Sequence, residues 1–218
     1  MGAKLKKENI LFMVFGNLVL GLGVAIFKLS ALGNDPYTGM MMALADLVSM
    51  EYANLLILVN AALFVIEIAA GRKYIGAGTF FNAILQGYVV TFFYRVVSQF
   101  GEPSALWQKL LLVVVGLLIG GIGLSMYQNA DAGASPYDSL SMILRDKTKK
   151  SYFGCRMLTD LICALICFAA GGIINVGTVA SVLLIGPVAD FINRRFVSCF
   201  VQKLEAQGQE TVCVEREV

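Results

Sequence analysis

The sequence predicts an all-α polytopic membrane protein, with six transmembrane helices plus two short half-helices, built as two inverted three-helix repeats. Three observations carry this prediction. Of 218 residues, 58% are hydrophobic and only 15% charged, against about one quarter charged in ordinary globular domains. Six apolar stretches approach the roughly 20 residues that a membrane-spanning helix needs. The chain also repeats itself one hundred residues on, where Gly33-Asn34-Asp35-Pro36-Tyr37-Thr38 returns as Gly133-Ala134-Ser135-Pro136-Tyr137-Asp138.

The repeat extends well beyond that elbow. Upstream, Gly16, Gly21 and Gly23 return as Gly116, Gly121 and Gly123; downstream, Leu44, Asp46, Tyr52, Ile66 and Gly71 return as Leu144, Asp146, Tyr152, Ile166 and Gly171. After a one-residue deletion, Gly78-Thr79, Gly87 and Arg95 return as Gly177-Thr178, Gly186 and Arg194. A duplicated unit inside an apolar chain is a common signature of membrane transporters.

The predicted spans cover 9–30, 52–70, 78–98, 107–129, 153–174 and 177–198. Two pieces, 36–49 and 136–147, are too short and too polar to span, and read as re-entrant or interfacial half-helices. Lys4, Lys6 and Lys7 place the N-terminus in the cytoplasm by the positive-inside rule. Arg72 and Lys73, then Arg145, Lys147, Lys149 and Lys150, and finally Arg194, Arg195 and Lys203, fall on that same side if there are six spans. Three spans per unit is an odd number, so the second unit must lie upside down relative to the first. The expected organisation is a cytoplasmic N-terminus (1–8), a first membrane repeat (9–100), a second, inverted repeat (107–200) and a cytoplasmic tail (201–218). No cleavable signal peptide is expected, because the first apolar run continues well past a short signal core.

Each elbow is written in helix punctuation. Gly33 and Gly133 suit a left-handed turn after the preceding helix. Asp35 and Ser135 suit the N-cap of the next helix, and Pro36 and Pro136 its first turn. Asp138 then stands where a capping box with Ser135 would put it. Two readings are open. The exposed N–H groups of Asn34, Asp35, Tyr37, Ser135, Tyr137 and Asp138 and their side chains could line a substrate site or gate. Alternatively, the elbows are capped turns at the membrane surface.

Polar residues inside the spans are costly and default to a cavity or a partner. Asn60 and Asp160 are equivalent positions in spans two and five, each on the order of 12 Å into its span from opposite faces. Matched polar groups across a pseudo-two-fold suit a central binding site, although Asp160 could equally form an i, i+4 pair with Arg156. Asn82 and Gln86 share one helix face and could bind a ligand or bridge helices. Glu67 lies about one turn from Arg72 and Lys73, which suggests a surface ion pair. The absence of histidine removes the usual general base and the commonest transition-metal ligand. Cys163 and Cys167, four apart on an apolar helix, read as small hydrophobes in a core. No metal, cofactor or nucleic acid is expected, and with no clustered nucleophile nothing suggests an enzyme. The glycines of spans one and four sit inside apolar helices with no following Lys-Ser/Thr pair, so they read as close helix packing rather than a nucleotide loop.

The paired Gly-x-Asp/Ser-Pro-Tyr elbow, its repetition and the glycine-rich first and fourth spans resemble the YczE/YyaS/YitT-type family of bacterial integral membrane proteins. The resemblance covers roughly residues 9–200. That family commonly carries tryptophan after the elbow proline, where this chain has Tyr37 and Tyr137. The resemblance implies a bacterial cytoplasmic (inner) membrane, and brings no substrate, cofactor or catalytic residue with it.

The functional expectation is a small secondary transporter for a small molecule or ion, alternating access between its repeats. Asn60, Asp160, Asn82, Gln86 and the elbows would form the site, and Asp160 or Asp35 would be the coupling carboxylate. A substrate-binding subunit of a multi-component transporter and a non-transporting regulator or scaffold are the alternatives. The expected partners are the lipid bilayer and the substrate, and the small-residue faces would suit a homodimer.

Overall fold

The computed structural model describes residues 7–33, 35–101, 103–130, 132–172, 174–193 and 195. Among them the chain is all-helical: α1 (Lys7–Leu29), α2 (Pro36–Leu47), α3 (Tyr52–Ala70), α4 (Ala77–Ser98), α5 (Leu106–Asn129), α6 (Pro136–Thr148), α7 (Tyr152–Ala169) and α8 (Val176–Ile192). A 3-10 turn at Arg72–Tyr74 joins α3 to α4. Among the described residues three helices, over Asn9–Leu29, Ala77–Ser98 and Leu106–Asn129, are long and apolar enough to cross a membrane. Large apolar side chains stand exposed on the outer faces of the long helices, among them Leu11, Phe15, Leu58, Val65, Ile84, Phe92, Leu165 and Phe168. Water would not tolerate so wide an apolar surface, whereas a bilayer requires one.

The centre of the molecule is the pair α1 and α5. A side chain added at Gly16 would meet Tyr127, one at Gly23 would meet Gly120, and one at Gly116 would meet Phe27. Contacts that descend on α5 as they ascend on α1 mean that these two helices run antiparallel. The approach is backbone to backbone: a Cβ on Gly23 would lie 2.3 Å from the Gly120 nitrogen, and one on Gly123 would lie 2.2 Å from the Leu20 nitrogen. Only glycine permits that spacing.

Packing around this pair comes in matched sets. Helix α1 packs on α4 as α5 packs on α8, and α2 packs on α7 as α6 packs on α3. The elbows are crossed between the halves. The Gly177 N–H donates to the Leu32 carbonyl at 2.9 Å, and the Gly78 N–H donates to the Ala132 carbonyl at 2.7 Å. Gly33 and Gly133 adopt positive φ, 125° and 106°, as their place in the elbow leads one to expect. Beneath α2 lies a core of Met40, Met41, Ala43, Tyr137, Cys163 and Cys167, so these two cysteines pack as small hydrophobes.

Two local expectations are corrected. Glu67 is no surface partner of Arg72 and Lys73; it is fully buried beside Ser139 of α6. The packing of α3 on α6 takes it there, while Lys73 instead reaches Asp146 at 2.5 Å. The capping box at Ser135 is only half formed. Ser135 Oγ accepts the Asp138 N–H at 3.0 Å, but the Asp138 carboxylate turns to Arg156, whose buried charge outcompetes a backbone N–H.

Candidate functional site

The first turns of α2 and α6 meet through their tyrosines, each helix started by its cap and proline. Asp35 Oδ2 accepts the Thr38 N–H at 3.0 Å, matching the Ser135 cap of α6. One residue past each proline stands a tyrosine. Tyr37 donates its hydroxyl to Asn60 Oδ1 at 2.7 Å, and Tyr137 donates its own to Asp160 Oδ1, each reaching 23 residues along the chain. The two rings stack, with centroids 4.3 Å apart and planes 16° from parallel. Side chains at equivalent positions of the sequence repeat therefore touch each other.

Beyond Tyr137 the site is charged. Arg156 of α7 pairs with Asp138 and, through Nε at 3.3 Å, with Asp160 Oδ2. Its guanidinium lies 4.8 Å from the centre of the Tyr137 ring. All three charged residues are buried, with Asp160 only 1% exposed. Asp160 thus holds both roles that its position allows, an i, i+4 partner of Arg156 and the hydrogen-bond acceptor of the elbow tyrosine.

On the Tyr37 side a cavity of about 420 Å³ opens between the two halves. Asp35, Tyr37, Asn60, Asn82, Gln86, Ser135, Tyr137 and Asp138 all line it, together with Arg156. Asp160 lies behind this wall, bonded to Tyr137 and Arg156. Asn34 lies outside the described residues. Asn82 spends its amide N–H on the Gly78 carbonyl of its own helix at 3.1 Å. Both polar atoms of the Gln86 amide are buried without a hydrogen-bond partner among the described residues. No group of three or more His, Cys, Asp or Glu side chains is placed to hold a metal ion among the described residues.

The two ends of the site differ. Towards one end the cavity runs on past Lys28, Asp46 and Met50. Towards the other, the counterpart residues are tied together. Gln128, the counterpart of Lys28, donates to the Tyr152 hydroxyl at 2.7 Å. Asp146, the counterpart of Asp46, binds Lys73 and Tyr74 at 2.5 Å each and Arg145 at 3.2 Å. Lys73, then Tyr74 and Arg145, hold the Asp146 carboxyl well below the usual carboxylate range. A depressed folded-state value means that this clamp is complete above an unfolded pKa of about 3.9 and is lost as pH falls through the folded value. Asp146→Asn is therefore expected to lower the melting temperature slightly at about pH 7, and the gap from wild type should begin to narrow only below about pH 4. Thermal unfolding at several pH values checks this; a gap that does not change with pH would refute it.

Residues 7–194 match a family described as a family of unknown function, DUF6198. The chain belongs to the DUF6198 family. Among the relatives of this DUF6198 protein, an uncharacterized protein of Haemophilus influenzae is 25% identical over 185 residues, covering 84% of this chain and 83% of the relative. The uncharacterized protein YyaS of Bacillus subtilis is 24% identical over 187 residues, or 84% of this chain and 93% of the relative. The uncharacterized membrane protein YczE of the same organism is 25% identical over 191 residues, or 86% and 87%. The elbow resemblance thus holds as family membership, and with the apolar helices it makes this a membrane protein. No solved structure matches the chain.

Sequence reasoning about this DUF6198 protein missed Arg156 as a wall of the cavity and as the partner of Asp138. A signal was present: the repeat puts Leu56 at the corresponding place, so Arg156 is a charge introduced into an apolar span where its counterpart has none.

Proposed function

We propose that this protein is a small secondary transporter that alternates access between two inverted three-helix repeats, with the cavity at the elbows as its substrate site. Helices α1, α3, α4, α5, α7 and α8 act as the six spans. At 12 and 13 residues, α2 and α6 reach only about 18 and 20 Å, short of the roughly 30 Å hydrocarbon core, and serve as half-helices. The antiparallel course of α1 and α5, which the repeat makes equivalent, supports inversion. In the inner membrane of a bacterium, with both termini cytoplasmic, the Lys28–Asp46 end of the cavity faces outward and the Asp146 clamp closes the inside. Asp35, which makes no ion pair among the described residues, is the choice for a coupling carboxylate. No residue is assigned a catalytic role.

The observation that carries this reading is the pair of matched hydrogen bonds, Tyr37 to Asn60 and Tyr137 to Asp160, meeting at stacked rings beside a cavity between the two halves. Transporter sites lie at repeat interfaces near discontinuous helices. The test is thermal stabilisation of the purified protein by a broad panel of metabolites, drugs and ions, with Asn60→Ala and Asp160→Asn in parallel. A ligand stabilises by binding the folded state preferentially. A hit lost in both variants, followed by flux of that compound into liposomes, is the expected result. A hit that neither variant affects would move the site elsewhere, and a panel without hits would sink the transporter reading.

A further inference from the structure

Resting on the reading of the cavity as a substrate site, we infer that its substrate is a small organic cation. The second half of the chain supplies the precedent. There the Arg156 guanidinium lies over the Tyr137 ring at 4.8 Å and pairs with Asp138 and Asp160. One repeat interval back, Tyr137, Asp138, Asp160 and Arg156 become Tyr37, Thr38, Asn60 and Leu56, and all four line the cavity. The first half keeps the tyrosine and the oxygen-bearing side chains but has leucine in place of the arginine. It also has a carboxylate that the second half lacks, because Asp35 stands where the repeat has Ser135. The same cage is thus built twice, once around a cation of the chain and once facing a cavity.

Charge points the same way. Three carboxylates, Asp35, Asp138 and Asp160, surround one guanidinium, which is already committed to two of them. Asp35 is left without a guanidinium, and an ionised carboxylate in a low-dielectric wall attracts a cation far more strongly than one at a water-exposed surface. The half-helix N-termini would favour an anion, but the leading N–H of each is taken, Thr38 by Asp35 and Asp138 by Ser135, both at 3.0 Å. Gln86 adds a buried amide whose oxygen and nitrogen are without partners among the described residues, a group that can accept from an ammonium N–H. The rest of the wall, including Leu20, Val24 and Phe27, is apolar. An ammonium head beside Asp35 with an apolar or aromatic body fits both surfaces, and tyrosine faces bind such heads well. The volume of about 420 Å³ lies within the usual range for sites of small organic ligands.

The test is binding to the full-length purified protein of four probes that share one ring and differ in the head: phenethylamine, benzyltrimethylammonium, phenethyl alcohol and phenylpropionate. Melting temperature and calorimetry are the readouts. At least one of the two cations is expected to bind saturably, and the alcohol and carboxylate to bind weakly or not at all. Asp35→Asn keeps a competent N-cap and is expected to melt as wild type without ligand, yet to weaken cation binding by about tenfold or more. Gln86→Ala, away from the cap, is expected to weaken it as well. Binding by the carboxylate or alcohol but by neither cation would overturn the cationic class while leaving the transporter reading intact. Cation binding unchanged in both variants would also overturn it, as would no binding by any probe. A cation that binds without crossing proteoliposomes through the protein would uphold this inference and defeat the transporter reading.

Discussion

Arg156→Gln is expected to destabilise the protein by about 3–5 kcal/mol, because removing one member of a buried ion network leaves the others uncompensated. Arg156 is only 8% exposed, and its partners Asp138 and Asp160 are 5% and 1% exposed. Without the guanidinium, two buried carboxylates face each other, and the cavity that Arg156 and Asp138 line gives water a way to reach them. That access places the effect towards the lower end of the range. Removing both charges along with the arginine, in Arg156→Leu with Asp138→Asn and Asp160→Asn, is expected to recover much of the loss, since a whole buried ion group can often be replaced by neutral residues at little cost. Thermal unfolding of the single and triple variants decides the matter. A single variant within about 0.5 kcal/mol of wild type would mean that the network is solvated and not structural.

The network also marks where the sequence stops being legible. The two short helices, their caps and the equivalence of Asn60 with Asp160 could be read from the chain, because capping chemistry is local and the repeat identifies equivalent positions without any coordinates. That both tyrosines reach 23 residues ahead to those same positions was implicit in the repeat, since equal spacing in equivalent units predicts equal contacts. What could not be read is that Tyr37 and Tyr137 touch each other. A contact between the two halves depends on how they pack together, and no spacing along the chain encodes that. Arg156 was legible as an ion-pair partner of Asp160 because i, i+4 geometry is fixed within a helix. Its contact with Asp138 was not, because it depends on how α6 settles on α7. Glu67 failed for the same reason: local spacing offered Arg72 and Lys73, and the packing of α3 on α6 overrode it.

The glycines of the central pair give the sharpest contrast between local and tertiary control. Gly23→Ala and Gly123→Ala are each expected to cost about 1–3 kcal/mol or more, the range for overpacking a close contact. In both cases the atoms in the way belong to backbone, at 2.3 Å from Gly120 and 2.2 Å from Leu20, and backbone cannot rotate aside as a side chain can. Helices α1 and α5 would have to separate, loosening the packing that α4 and α8 make on them. Gly120→Ala, on the same helix face and across from Gly23, meets nothing within 4 Å. It is expected to be neutral or to gain up to about 1 kcal/mol, the difference in helix propensity between the two residues. Helix propensity alone would make all three substitutions favourable, so the measured signs separate the two influences. Melting temperatures of the three variants in one detergent provide the comparison. Equal effects at Gly23 and Gly120 would mean that α1 and α5 do not approach as described. Equal losses at Gly23 and Gly123, one in each half, are what a two-fold relation between the halves requires, because each glycine then meets the same backbone seen from the opposite side.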